Sequence, residues 1–67
     1  MKVWMDPDKI KPLQRRIIKW RNDRYKMVEL ANGARVNRSA VYRLKDGKQI
    51  SKANADRIEQ FLLANNF

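Results

Sequence analysis

The apolar residues of this chain fall almost entirely at helical spacing, in short runs closed by turn-forming residues. Leu13, Ile17 and Trp20 line one face of a first segment whose other side carries Lys11, Arg15, Arg16, Lys19 and Arg21. Pro12 is expected at its first helical position, where a missing N–H sacrifices no hydrogen bond. Asn22 and Asp23 offer a stop and a cap for a second helix from about Arg24 to Asn32, carrying Met27, Val28, Leu30 and Ala31. Gly33 is expected to end that helix or open the turn after it. Asn37 caps a third helix, short and basic, with Ala40, Val41 and Leu44 inward and Asp46-Gly47 as its stop. Ser51 caps a fourth, over about residues 52–64, whose inward stripe is Ala55, Ile58, Phe61 and Leu62. Beyond the first few residues there is no strand alternation, and there is no internal repeat. The reading is an all-α fold: one small domain of four or five helices over residues 12–67. Residues 1–11 form an N-terminal arm, because Asp6-Pro7-Asp8 is a combination that a helix does not readily run through. Trp4 in that arm is read as a packing aromatic rather than one that stacks on bases.

A chain of 67 residues has a thin core, and this one has no cysteine and no histidine with which to staple it. Stability must come from apolar packing, completed where needed by a partner. The same absences argue against an enzyme. There is no imidazole or thiol nucleophile, no glycine-rich phosphate loop and no pair of carboxylates spaced for acid–base work. Glu29, Asp56 and Glu59 read as surface or intrahelix partners for neighbouring cations. No cofactor, metal or small-molecule substrate is expected.

Charge narrows the partner. Sixteen Lys and Arg stand against seven Asp and Glu, a formal net charge of +9, and a surface of this kind seeks polyanions. Nucleic acid is favoured because cations that neutralise phosphates release condensed counterions. A membrane is disfavoured, since no stretch approaches the roughly 18 apolar residues of a spanning helix and the N-terminus has no apolar leader. The expected location is the cytoplasm.

Residues 27–45 read MVELANGARVNRSAVYRLK, and this segment resembles the helix-turn-helix of the Cro and CI repressors of lambdoid phages and the wider lambda-repressor-like family. Ala31 falls where that family has a small residue, at the close crossing of the two helices. Val36 matches the apolar residue that pins the turn, while Val41 and Leu44 match the buried positions that seat the third helix on the second. Leu30 and Ala34 face the core beside them. One position departs: the family usually has glycine in the left-handed turn position, which is Arg35 here, with the glycine displaced to Gly33. Either Arg35 accepts the strain of a positive φ or the turn is reshaped around Gly33.

The resemblance implies double-stranded DNA as the partner, with the third helix in the major groove and its N-terminal residues at the base edges. Carried over by position, Arg38, Ser39 and Arg43 are the base-reading residues, with Tyr42 beside them. Arginine can donate two hydrogen bonds to guanine O6 and N7, so a half-site containing G·C pairs is expected. Phosphate contacts should frame the reading helix from Lys26, Arg35, Asn37, Lys45 and Lys48. Asn37 is expected to satisfy a helix-end amide as an N-cap as well.

Phe61, Leu63 and Phe67 exceed what one small core should absorb, so an apolar patch near the C-terminus is expected to form a homodimer interface. Such a dimer would present two reading helices to a near-palindromic operator. The expectation is a Cro-type phage or prophage repressor, the short length leaving nothing for a sensor domain. The alternatives are an excisionase or other architectural DNA-binding factor, for which residues 47–51 are short for a wing hairpin, and a protein-binding antirepressor or antitoxin-like module.

Overall fold

The computed structural model describes residues 3–23 and 26–67. It is an all-α domain of four helices, with α1 at Ile10–Asn22, α2 at Met27–Ala34, α3 at Arg38–Lys45 and α4 at Lys52–Ala64. A single 3-10 turn, Pro7–Lys9, leads into α1, and the Asp6 carboxylate caps it by accepting from the Asp8 N–H at 2.9 Å. The Asp-Pro-Asp combination therefore starts the helical run rather than delaying it. Pro12 lies in the first turn of α1 rather than at its first position, and an N–H is not missed there either. The expected start of the second helix at Arg24, with Tyr25, lies outside the described residues, as do Met1 and Lys2.

The core takes one face of each helix: Leu13, Ile17 and Trp20 from α1, Met27, Leu30, Ala31 and Ala34 from α2, Ala40, Val41 and Leu44 from α3, Ala55, Ile58 and Leu62 from α4. α3 packs against both α1 and α2, and α2 also packs against α4. Val28, expected in the core, is only half-buried, and Val36 packs against the core from the turn. Among the described residues no buried side-chain polar atom lacks a hydrogen bond. The Trp20 indole, for example, donates to the Lys26 carbonyl at 3.2 Å.

Two core residues come from outside the helices. Met5 is 2% exposed, and Ile50, in the loop before α4, is buried beside it. They are joined by the backbone, with the Met5 N–H donating to the Ile50 carbonyl at 3.0 Å and the Lys52 N–H to the Val3 carbonyl at 2.7 Å. The Gln49 side-chain amide adds a bond to the Met5 carbonyl at 2.7 Å. The segment expected to be an arm is thus divided: residues 3–5 form a short antiparallel strap fixed to the α3–α4 loop, and Pro7–Lys9 and the first residues of α1 are already helical. Met5, not Trp4, is its packing residue.

Three helices end in the same way, with a residue of positive φ and a pair of backbone bonds that close the last turn, the Schellman arrangement. Gly47, φ 81, closes α3, its N–H bonding the Leu44 carbonyl while Lys48 N–H bonds Arg43. Asn66, φ 64, does the same after α4, with Phe67 N–H on the Leu62 carbonyl at 2.8 Å. After α2 the residue is Arg35, φ 60 and ψ 45, with Arg35 N–H on Asn32 and Val36 N–H on Ala31. Of the two turn geometries open to the sequence, the strained arginine is the one adopted.

Gly33 neither ends α2 nor opens the turn. It lies inside the helix, where the Phe61 ring occupies the space that a Cβ would need. Phe61 in turn meets Trp20 edge-on, with ring centroids 5.2 Å apart, and Phe67 meets Trp20 edge-on as well, at 5.1 Å. The expected apolar surplus at the C-terminus is therefore mostly consumed within the chain. Phe61 and Phe67 are half-buried on Trp20, and only Leu63, 54% exposed, stands out from α4.

Candidate nucleic-acid interface

α3 divides cleanly. Ala40, Val41 and Leu44 are buried against α1 and α2, and Arg38, Ser39, Tyr42 and Arg43 are exposed. On a helix these four form two neighbouring rows, Arg38 with Tyr42 and Ser39 with Arg43, each pair four residues apart. All four residues expected to read bases share one solvent face, opposite the residues that hold the helix down.

The ends of α3 are fixed from outside it. At the C-terminal end, the Gln14 side chain of α1 donates to the Lys45 carbonyl at 2.7 Å, and Gly47 makes the stop. At the N-terminal end, Asn37 is the N-cap residue by backbone, φ −67 and ψ 146, and its carbonyl accepts from Ala40 N–H. Its side chain makes no capping hydrogen bond. This corrects the expectation that the Asn37 amide is spent on the helix end: the side chain is exposed at the mouth of the reading face, available to a ligand.

The remaining candidate cations spread around this face. Lys48 is exposed just past the α3 stop, while Lys45 is half-buried with Nζ 5.8 Å from the centre of the Tyr42 ring, a cation–π contact that steadies both side chains. Arg35 is exposed in the turn between α2 and α3, and its carbonyl accepts from Arg57 Nη1 at 3.4 Å. Lys26 is exposed as the N-cap residue of α2, eleven positions before the α3 cap in sequence. From residue 35 to residue 45 the chain carries four cations and no carboxylate. The one ion pair found among the described residues, Lys52 to Asp56 at 3.2 Å, is on α4. Asp46 follows directly at the α3 C-cap, but among the described residues none of the α3 cations is in an ion pair, which leaves them able to neutralise phosphates with release of counterions.

The acids are dispersed. Asp46 is the C-cap residue of α3, while Asp6, Asp56 and Glu59 border a separate concavity between the strap and α4, interleaved with Lys9 and Lys52. Among the described residues there is no group of three potential metal ligands, and no helix is long and apolar enough to cross a membrane.

A feature that the residue pattern did not expose is a concavity at the N-terminal end of α3. Asn37, Ser39 and Arg43 form one side and Gln49, Asn54 and Trp4 the other. Trp4 reaches that wall because the strap pairs with the α3–α4 loop, a long-range contact that leaves no periodic trace in so short a segment.

No protein-family model matches the chain, and neither the curated proteins nor the solved structures contain a significant match to it.

Proposed function

We propose that this protein is a sequence-specific double-stranded DNA-binding transcriptional regulator that places α3 in the major groove. The observation that carries the reading is the division of α3: a helix anchored on one side by Ala40, Val41 and Leu44 offers Arg38, Ser39, Tyr42 and Arg43 together on the other, without an ion pair. Both arginines suit guanine, Ser39 is a permissive donor and acceptor, and Tyr42 offers a ring to a thymine methyl or a hydroxyl to phosphate. Arg35, Asn37, Lys45 and Lys48 flank that face and would set register through phosphates. Lys26 is the outlying member of the set.

The resemblance of residues 27–45 to the lambda-repressor-like helix-turn-helix points to a Cro-type repressor, acting in the cytoplasm on a near-palindromic operator. Pairing there would use α4, with Leu63 as its exposed apolar residue. Because Phe61 and Phe67 are already engaged with Trp20, this pairing is weak in free solution and is completed on DNA. Sedimentation that shows one copy both free and on a duplex carrying the full site would remove the dimer from the proposal.

Two substitutions separate reading from anchoring. Arg43→Ala should cost about 1–3 kcal/mol on the preferred duplex and relax the preference at one base pair. Lys48→Ala should weaken all duplexes about equally and lower the slope of log affinity against log salt by about one. Arg43→Ala with unchanged affinity and base preference would move the reading face away from α3.

A further inference from the structure

The strap of residues 3–5 does more than close the core. Its alternation sends Met5 inward and leaves Trp4 51% exposed. The backbone on either side of the indole is fixed by the bonds from Met5 to Ile50 and from Lys52 to Val3, and by Gln49 on the Met5 carbonyl. Closure is thus provided by Met5 and by main-chain groups, none of which requires a tryptophan at position 4. The indole instead borders the same concavity as Asn37, Ser39 and Arg43, whose lining holds one cation, several amides and hydroxyls, and no carboxylate.

A large aromatic held on a fixed backbone beside an arginine and hydrogen-bonding side chains fits a ligand that combines apolar edges with negative charge. Double-stranded DNA has this character, its sugars and thymine methyls lying between phosphates. We infer that Trp4 is part of the DNA interface, packing against sugar and base edges next to those reached by Ser39 and Arg43. The strap is then a second reading element beside α3. This rests on the proposal that α3 faces DNA.

The test uses the full chain and the duplex pool that it recovers from random sequence. Trp20 is buried, so acrylamide quenching of tryptophan emission reports mainly on Trp4. The duplex should shield Trp4 and cut the quenching constant. Trp4→Ala should lower affinity about tenfold, the loss expected of an aromatic contact that becomes desolvated on binding, while Trp4→Phe keeps most of it. Because the contact is uncharged, the salt slope should not change, and affinities are compared at equal folded fraction, since removing a half-buried indole also lowers stability. Trp4→Ala binding with wild-type affinity, or a bound duplex that leaves acrylamide access unaltered, would place Trp4 outside the interface while leaving the role of α3 intact. Failure of the wild-type chain to bind any duplex would overturn both. The quenching measurement needs no variant, so it decides the matter even if Trp4→Ala destabilises the strap.

Discussion

Arg35 and Gly33 have exchanged the roles their residue types suggest. A left-handed conformation costs an L-residue about 1–2 kcal/mol, and Arg35 carries that cost at φ 60. Glycine would remove the strain but loses more conformational freedom on folding, a debit of about 0.5–1 kcal/mol. Arg35→Gly should therefore raise stability by up to about 1 kcal/mol, read as a higher denaturant midpoint, while weakening DNA binding and lowering its salt slope by about one. Loss of stability in that variant would show that the arginine is not strained. Gly33→Ala should do the opposite of what helix propensity alone predicts. Alanine gains about 1 kcal/mol in a helix interior, but its Cβ would enter the space of the Phe61 ring, and overpacking costs about 1–3 kcal/mol. The ring cannot retreat without giving up its edge contact with Trp20. A net loss of stability is expected in thermal melts, recovered when Phe61 is replaced by leucine in the same chain. The sequence pattern placed a glycine requirement correctly at Gly47, where a turn signal sits at the end of a periodic run. It failed at Gly33, because a close approach by Phe61 is a tertiary fact with no local trace.

At the level of elements, the helices were legible wherever a periodic run met a chemical cap. α4 begins after Ser51, whose Oγ accepts from Asn54 N–H at 3.3 Å, and covers the residues its apolar stripe implies. α1 begins earlier than Pro12 suggested, because proline is tolerated throughout a first turn and so does not single out one position. The exposed face of α3 was legible for the same reason as its core face, a single period separating the two. The strap was not, since three residues hold too few alternations to read and their partners lie across the loop before α4. What positions α3 was equally hidden. Gln14, on α1, holds the Lys45 carbonyl at the end of α3. Gln14→Ala should cost about 1 kcal/mol of stability for the lost bond, with a further loss of the proposed DNA affinity because the C-terminal end of α3 is no longer held on α1. Affinity that falls no further than the loss of folded protein accounts for would show that Gln14 supports the fold alone.

For the whole molecule, a net charge of +9 comes with seven dispersed acids, and among the described residues the exposed cations of α3 are in no ion pair. On the proposal that the partner is DNA, such a surface would orient the domain on the polyanion before any base is read. Affinity would then come from the phosphates and fall steeply with salt. Preference would come from Arg38, Ser39, Arg43 and the surfaces beside them. Phe61 and Phe67, expected at a dimer interface, pack on Trp20, so the proposed two-fold pairing would rest on α4 and on the symmetry of the DNA itself. The most direct test of the central claim is selection of bound duplexes from a random pool at physiological salt, followed by a footprint on the enriched sequence. The account predicts an inverted repeat with G·C pairs in each half-site and centres about one helical turn apart. Recovery of DNA with no enriched sequence would contradict it and leave the basic face of α3 without a reading function.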